Sequence, residues 1–118
     1  MNVKKILLAV IFSLIPVTSH AITGLALYDG CSSVKGSTGD LLCTGYVRGF
    51  MDGLEAGSIT SFKYTQFRAC PPASVLNSTP QSRLIIAKYL GNHPEQLDKE
   101  AGGLAMLAMN AAFPCPSK

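Results

Sequence analysis

The stretch "GSTGDLLCTGYVRGFMDGLEAGS", residues 36–58, decides the fold class of this chain. Apolar side chains recur there at steps of three and four residues and form one face of a helix: Cys43, Tyr46, Val47, Phe50 and Leu54. Ser37 or Thr38 can cap the first turn, and Asp40 favours the positive end of the helix. The stretch therefore predicts a long amphipathic helix.

The opposite side of this helix carries charge, at Arg48, Asp52 and Glu55. Two acidic residues about one turn apart could serve as a general acid and a general base. A solvated face with an ion pair between Arg48 and Asp52 explains the same residues through their spacing of four. We favour the solvated face.

A stripe of glycines runs beside the apolar face at a spacing of four: Gly45, Gly49, Gly53 and Gly57. A glycine in a helix interior costs up to about 1 kcal/mol relative to alanine. The stripe predicts that another backbone packs closely here, from this chain or from a second subunit. The alternative is that Gly57 only ends the helix and the other three are tolerated.

A second helix is predicted in "STPQSRLIIAKYLGN", residues 78–92. Thr79 is a suitable cap, Pro80 suits the first helical position, and Gly91 or Asn92 can end the helix. The expected buried stripe is Ile85, Ile86, Tyr89 and Leu90.

A third helix is predicted from Pro94, with Asn92 or His93 as its cap, to about Ala112. Its expected inner face is Leu97, Ala101, Leu104 and Ala108. Met106 and Met109 lie on the other side, and a helix that is apolar all round is buried all round. We therefore predict an all-α fold of three main helices plus short pieces, forming a homodimer with Met106 and Met109 at its interface.

The first 21 residues have the pattern of a secretory signal peptide. Lys4 and Lys5 precede an apolar run of residues 6–17, and small Ser19 and Ala21 mark a cleavage site. The run is shorter than the roughly 20 residues that span a bilayer. We expect cleavage after Ala21 and export of residues 22–118 to the periplasm as a single domain.

The composition without this leader argues against nucleic acid and membrane partners. Ten basic residues minus the two lysines leave eight, against seven acidic residues. A nearly neutral chain lacks the basic surface that binds nucleic acid. We expect neither a nucleic acid nor a membrane partner.

Four cysteines follow the predicted cleavage site, and an oxidising compartment favours disulfides between them. Of the three possible pairings we favour Cys31 with Cys43 and Cys70 with Cys115. The second pair would close a long loop, worth roughly 4 kcal/mol in the chain-entropy model. A zinc site is disfavoured because the chain has no C-x-x-C pair and His93 is the only histidine after the leader. We expect no metal and no cofactor.

Catalytic motifs are absent from the sequence. It contains no G-x-S-x-G, Walker loop, H-E-x-x-H or dinucleotide-binding fingerprint. His93 lies between Asn92 and Pro94, which are turn and cap residues, and it has no free thiol to activate. The sequence therefore indicates a binding protein with no catalytic residues.

The segment 58–69 lacks a helical period and mixes aromatic and polar side chains. Some of these aromatics can cap a small core, but aromatic residues and arginine also dominate binding hot spots. The candidate partner contacts are Phe62, Tyr64, Gln66, Phe67 and Arg68. The turns at 73–79 and 91–94 are alternatives.

Three motifs in order resemble the Rap/Tai family of periplasmic immunity proteins. They are "CTGYVRGFMDGL" from residue 43, "ACPP" from residue 69, and "YLGNHPEQLDKEAGGLAMLAMNAAFPC" from residue 89. The family patterns are C-x-G-Y-x-x-G-x-x-D-G, C-x-P, Y-L-x-x-H-P-E and A-F-P-C. The chain departs from them at Ala69, where an aromatic is common, and in the glycine and methionine content of residues 101–109.

The resemblance implies protection against toxins that type VI secretion delivers into the periplasm. Those toxins are peptidoglycan amidases similar to papain-like Cys–His peptidases. The immunity protein, commonly a homodimer, binds the toxin and occludes its cleft. We expect the segment 58–69 to enter that cleft and the motif residues to serve as scaffold.

Two other functions, a chaperone and a hydrolase, are alternatives. A small periplasmic chaperone of the acid-stress kind also has a leader, a disulfide and apolar dimer surfaces. Seven acidic groups and one histidine in the mature chain leave few groups that titrate in the mildly acidic range. A secreted hydrolase is disfavoured by the missing catalytic motifs.

Overall fold

The computed structural model describes residues 20–58 and 69–117. Five α-helices lie in these residues: α1 Gly24–Cys31, α2 Thr38–Ser58, α3 Ala73–Leu76, α4 Thr79–Asn92 and α5 Ala101–Ala112. A short 3-10 helix, Pro94–Gln96, precedes α5. Within the described residues no strand is formed, and extended pairing is limited to two isolated bridges. The predicted all-α fold is confirmed, and residues 1–19 of the predicted leader lie outside the described part of the chain.

Helix α2 begins and packs as its sequence predicts. The Ser37 hydroxyl accepts a hydrogen bond from the Asp40 amide at 3.3 Å and caps the helix. The buried residues on its inner face are Cys43, Val47 and Met51. Tyr46, Phe50 and Leu54 pack against that core while staying partly exposed. The inner face of α2 therefore forms a central part of the core.

Helix α1 packs across the start of α2 through backbone contact. A Cβ atom added at Gly30 would lie 2.9 Å from the Gly39 carbonyl oxygen. Immediately beside this contact, Cys31 and Cys43 form a disulfide with an S–S distance of 2.04 Å. Leu27 of α1 is fully buried in the core. Two glycines and one disulfide thus hold α1 and α2 closely together.

Within the part of the chain that the structure describes, no backbone packs closely against the glycine stripe of α2, and packing by a second subunit stays a prediction. Cβ atoms added at Gly45, Gly49 or Gly53 would meet nothing within 4 Å. The close approach occurs instead at Gly30 and Gly39, one from each helix. Spacing located a glycine-rich face but could not show which glycines another backbone touches.

Helix α4 is capped by Ser78 and not by Thr79, which is its first helical residue. The Ser78 hydroxyl accepts a hydrogen bond from the Gln81 amide at 3.4 Å. Ile86 and Leu90 are fully buried, and Ile85 and Tyr89 pack against the same core. Helix α4 ends at Asn92, as predicted.

The predicted third helix is interrupted between Gln96 and Ala101. Two carbonyl groups in this interval accept hydrogen bonds from the first residues of α1: Lys99 from Gly24 and Leu97 from Leu25, both at 2.8 Å. The first amides of a helix have no partner within the helix, so these carbonyls satisfy them. The prediction of one continuous helix from Pro94 was wrong because this long-range pairing uses the backbone differently.

Helix α5 supplies the far side of the core with its buried residues Ala101, Leu104, Ala105, Ala108 and Met109. Met109 has 0% of its surface exposed within a single chain. Its predicted place at a dimer interface is therefore corrected, since its side chain fills the core of its own subunit. Met106 is partly exposed, and its interface role stays a prediction.

Both favoured cysteine pairings are confirmed. Cys70 and Cys115 form the second disulfide, with an S–S distance of 2.03 Å, and 45 residues of sequence separate them, against 12 for the first pair. In the chain-entropy model these separations correspond to about 4 and about 3 kcal/mol. None of the described helices is long and apolar enough to cross a membrane.

Candidate functional site

The junction between residues 69–70 and the C-terminal segment fixes one end of the predicted contact segment. The Cys70 amide donates to the Phe113 carbonyl at 2.8 Å, and Ala69 pairs with Pro114 in an isolated bridge. The Cys70–Cys115 disulfide closes the junction, and Phe113 packs against the core. The predicted contact segment is therefore anchored to the folded core at Ala69.

The predicted partner contacts lie outside the described residues. They are Phe62, Tyr64, Gln66, Phe67 and Arg68. The structure places the ends that flank them, with α2 ending at Ser58 and the junction beginning at Ala69. The predicted contact role of these five residues stays a prediction.

A groove of about 410 Å³ opens between the starts of α2 and α4. Its lining residues are Ser33, Lys35, Asp40, Thr44, Thr79, Pro80 and Arg83. Arg83 is the most connected side chain among them, because it donates to the Asp40 carboxylate, to the Thr44 hydroxyl at 3.0 Å and to the Cys31 carbonyl at 3.0 Å. It thereby links α4 to both α1 and α2.

The Asp40 carboxylate compensates the Arg83 charge. Its second oxygen accepts a hydrogen bond from the Gly36 amide at 2.8 Å. This amide and the Arg83 guanidinium hold the pKa of Asp40 below its ordinary value of 3.8. The ionised Asp40 carboxylate joins the Gly36 backbone to the Arg83 side chain, and it has no proton to give near neutral pH. We therefore assign the Asp40–Arg83 pair a structural role.

The sequence did not predict this pair. Asp40 and Arg83 lie 43 residues apart, and no short motif joins them. The sequence predicted Asp40 in the first turn of α2, and this prediction is confirmed. The sequence signal for its second role is an arginine on a neighbouring helix, which becomes informative only once the helix packing is known.

Arg48 and Asp52 form the surface ion pair that their spacing predicts. Their side chains are 3.7 Å apart and 71% and 65% exposed. An exposed pair of this kind contributes about 0.3–0.5 kcal/mol. The solvated face is therefore the better interpretation of these charges.

His93 ends α4 and has a structural partner. Its Nδ1 lies 2.7 Å from the Tyr89 carbonyl oxygen, and its ring stacks on the Tyr89 ring with centroids 4.0 Å apart. A carbonyl only accepts hydrogen bonds, so Nδ1 carries the proton. His93 is the C-cap of α4 and the N-cap of the 3-10 helix that begins at Pro94, so its predicted place as a cap at this helix start is confirmed.

The described residues offer no group of three or more His, Cys, Asp and Glu side chains that could hold a metal ion. All four cysteines are in disulfides, so none is a free thiol nucleophile. Together with the paired Asp40 and the capping His93, these residues form a scaffold.

One comparison with known proteins identifies the family. The model of the Rap1a immunity proteins matches residues 23–115, from the Thr23 cap of α1 to Cys115 of the second disulfide. No curated protein matches the chain. Because the match covers most of the 118 residues, this chain belongs to the Rap1a immunity protein family.

Proposed function

We propose that the chain is a periplasmic immunity protein that binds a peptidoglycan amidase toxin of type VI secretion and occludes its active-site cleft. The observation that carries the proposal is the family match over residues 23–115, which supports an immunity role and hence a toxin partner. The amidase target, of the papain-like Cys–His kind, follows from the motif resemblance. So does the expectation that a cleavable leader exports the chain.

The structure supports inhibition by binding. Its two disulfides suit an oxidising compartment such as the periplasm. The one histidine after the leader is a helix cap, and Asp40 is paired with Arg83. An inhibitor that blocks a cleft needs no catalytic residues of its own.

The segment 58–69 is the proposed plug. It ends at the junction of Ala69 and Cys70 with the C-terminal segment. A backbone hydrogen bond and a disulfide hold this junction in place. A recognition segment gains affinity when its ends are fixed, because less conformational entropy is lost on binding. Phe62, Tyr64 and Arg68 are the side chain types that hot spots favour.

A homodimer belongs to the proposal as well. Helix α2 exposes two leucines near its start, Leu41 and Leu42, beside the open glycine stripe. Exposed apolar side chains beside glycines that no other described residue approaches suit a subunit contact. Light scattering over a range of concentrations tests this part, and a monomer throughout would remove it.

The decisive experiment measures inhibition and affinity together. Oxidised chain 22–118 is mixed with candidate type VI amidases, and peptidoglycan hydrolysis is followed during titration. We expect hydrolysis to stop at a fixed stoichiometric ratio for the cognate enzyme. If no amidase is bound or inhibited, the proposal fails, and protection of acid-unfolded clients would then indicate the chaperone function.

The plug is tested by Tyr64→Ala with Tyr64→Phe as its matched control. If Tyr64 is a hot spot, the alanine variant binds the amidase about 2 kcal/mol more weakly, while the phenylalanine variant keeps most of the contact area. Isothermal titration calorimetry measures both. Equal affinity for the wild type and Tyr64→Ala would remove the segment 58–69 as the plug and favour residues 73–79, which include α3, or residues 91–94.

A further inference from the structure

The two disulfides differ in their relation to the core. Cys43 is a member of the buried core with 0% exposure, and Cys31 packs directly against it. Neither Cys70 nor Cys115 belongs to the core or to the residues packed against it. Cys70 is exposed and Cys115 is partly exposed. Both cysteines of the second disulfide therefore reach the surface, whereas in the first Cys31 is partly exposed and Cys43 is buried, so a reductant in solution approaches the second disulfide more readily.

We propose that Cys70–Cys115 is a redox site that dithiol reductants of the thioredoxin class open in the folded protein, and that its opening weakens binding of the toxin. The second part, weaker toxin binding, rests on the proposed function and describes how binding through that proposed contact segment is regulated. The first clause depends only on the accessibility of the two disulfides. The two clauses can therefore be tested separately.

The reaction is an ordinary thiol–disulfide exchange. One thiolate of the reductant attacks the sulfur of Cys70, the more exposed partner, and Cys115 leaves as a thiolate that takes up a proton. The second thiol of the reductant then attacks the mixed disulfide and releases Cys70 as a thiol. Two electrons pass from the dithiol, which ends as a disulfide, to the cysteine pair.

The contacts that remain after reduction decide what changes. At the junction they are the hydrogen bond from the Cys70 amide to the Phe113 carbonyl and the isolated bridge of Ala69 with Pro114. The contacts among α1, α2, α4 and α5 involve neither cysteine of this pair, so the core persists. Reduction therefore loosens the junction, and with it the point where the proposed contact segment ends.

The accessibility clause is tested on the oxidised chain by timed reduction with dithiothreitol. Samples are alkylated at intervals, digested, and the labelled cysteine peptides quantified by mass spectrometry, while circular dichroism follows helix content. We expect Cys70 and Cys115 to be labelled at least about tenfold faster than Cys31 and Cys43, with helix content unchanged at that stage. Equal labelling rates, or loss of helix as the second disulfide opens, would overturn the redox site.

The binding clause is tested with a matched pair of double variants. Cys70→Ser/Cys115→Ser imitates the reduced junction, and Cys31→Ser/Cys43→Ser is the control for loss of a disulfide in general. We expect the first variant, and wild-type protein reduced at this site only, to bind the cognate amidase at least about tenfold more weakly than the oxidised wild type.

The outcomes separate the two proposals. Unchanged amidase affinity after selective reduction overturns the binding clause, even if the variant itself folds poorly. If the oxidised wild type binds no amidase, the proposed function and the binding clause fail together. The order of alkylation still decides the redox site in that case.

Discussion

The contact between Gly30 and Gly39 gives the sharpest stability prediction, because it joins two backbones. In the variant Gly30→Ala the new methyl group would lie 2.9 Å from the Gly39 carbonyl oxygen and 3.3 Å from Leu42 Cδ2. The leucine side chain can rotate away, but the carbonyl moves only if helix α2 moves. The adjacent Cys31–Cys43 disulfide restrains the separation of the two helices.

The expected magnitude is a difference of two terms. An extra methyl group forced into a packed contact costs about 1–3 kcal/mol. Replacing glycine by alanine within a helix returns up to about 1 kcal/mol, because alanine loses less conformational freedom. We therefore expect Gly30→Ala to lower the free energy of unfolding by about 1–2 kcal/mol.

The control is Gly49→Ala, in the interior of α2 and with open space around the new methyl group. Here only the helix term remains, so stability should rise by up to about 1 kcal/mol. The two variants should therefore differ by about 1–3 kcal/mol, and since 1 kcal/mol shifts the Tm of a domain of this size by roughly 4–8 °C, their Tm values should differ by roughly 4–24 °C. Thermal unfolding followed by circular dichroism measures both.

Two results would refute this reasoning. A Tm of Gly30→Ala at or above the wild type would mean that α1 and α2 separate at no cost, so the backbone contact does not set their distance. Destabilisation by Gly49→Ala would mean that another surface packs on the glycine stripe. In a dimer, the second result would place the subunit contact at that stripe.

Two further predictions concern buried and charged polar groups. Ser82 is fully buried and donates to the Val75 carbonyl at 2.9 Å, a carbonyl that also accepts from the Ser78 amide at 3.0 Å. Ser82→Ala removes one of these two hydrogen bonds and should lower the free energy of unfolding in urea by about 0.5–1.5 kcal/mol; unchanged stability would show that the Ser82 bond contributes nothing. The pKa of Asp40 is lowered in the folded state, so its contribution to stability is present above its ordinary value of 3.8 and is lost as the pH falls through the lowered pKa. Asp40→Asn should therefore have a lower Tm than the wild type near neutral pH and lose less Tm on acidification below that range, and parallel pH profiles of Tm would contradict the assignment.

Residue periodicity and cap residues in the sequence predicted the helices α2 and α4. The period of three and four residues in α2 and α4 reflects which side chains face the core, and both helices begin within a residue or two of their predicted starts. The even number of cysteines and the predicted export indicated two disulfides. Each of these features is decided by residues that lie close together in the sequence or by their composition.

The features that the sequence did not predict depend on contacts between distant residues. Helix α1 was not assigned, and the helix from Pro94 was predicted without a break, because both features rest on the backbone pairing of residues 22–25 with residues 97–101. The sequence placed Met109 at a subunit interface because α5 is apolar on all sides, but its side chain lies on the buried face of α5 with Leu104 and Ala105. Periodicity shows that a side chain is buried but not which surface covers it.

Four of the family's motif residues are committed to contacts within the chain. Cys43, Cys70 and Cys115 are in disulfides, and His93 bonds to the backbone of α4. A residue whose polar atoms and surface are already used in this way has little left to offer a partner. These four motif residues therefore belong to the scaffold, and we expect positions outside them to discriminate between one toxin and another. This division explains why the sequence predicts the fold and the immunity role more fully than it predicts the contact residues.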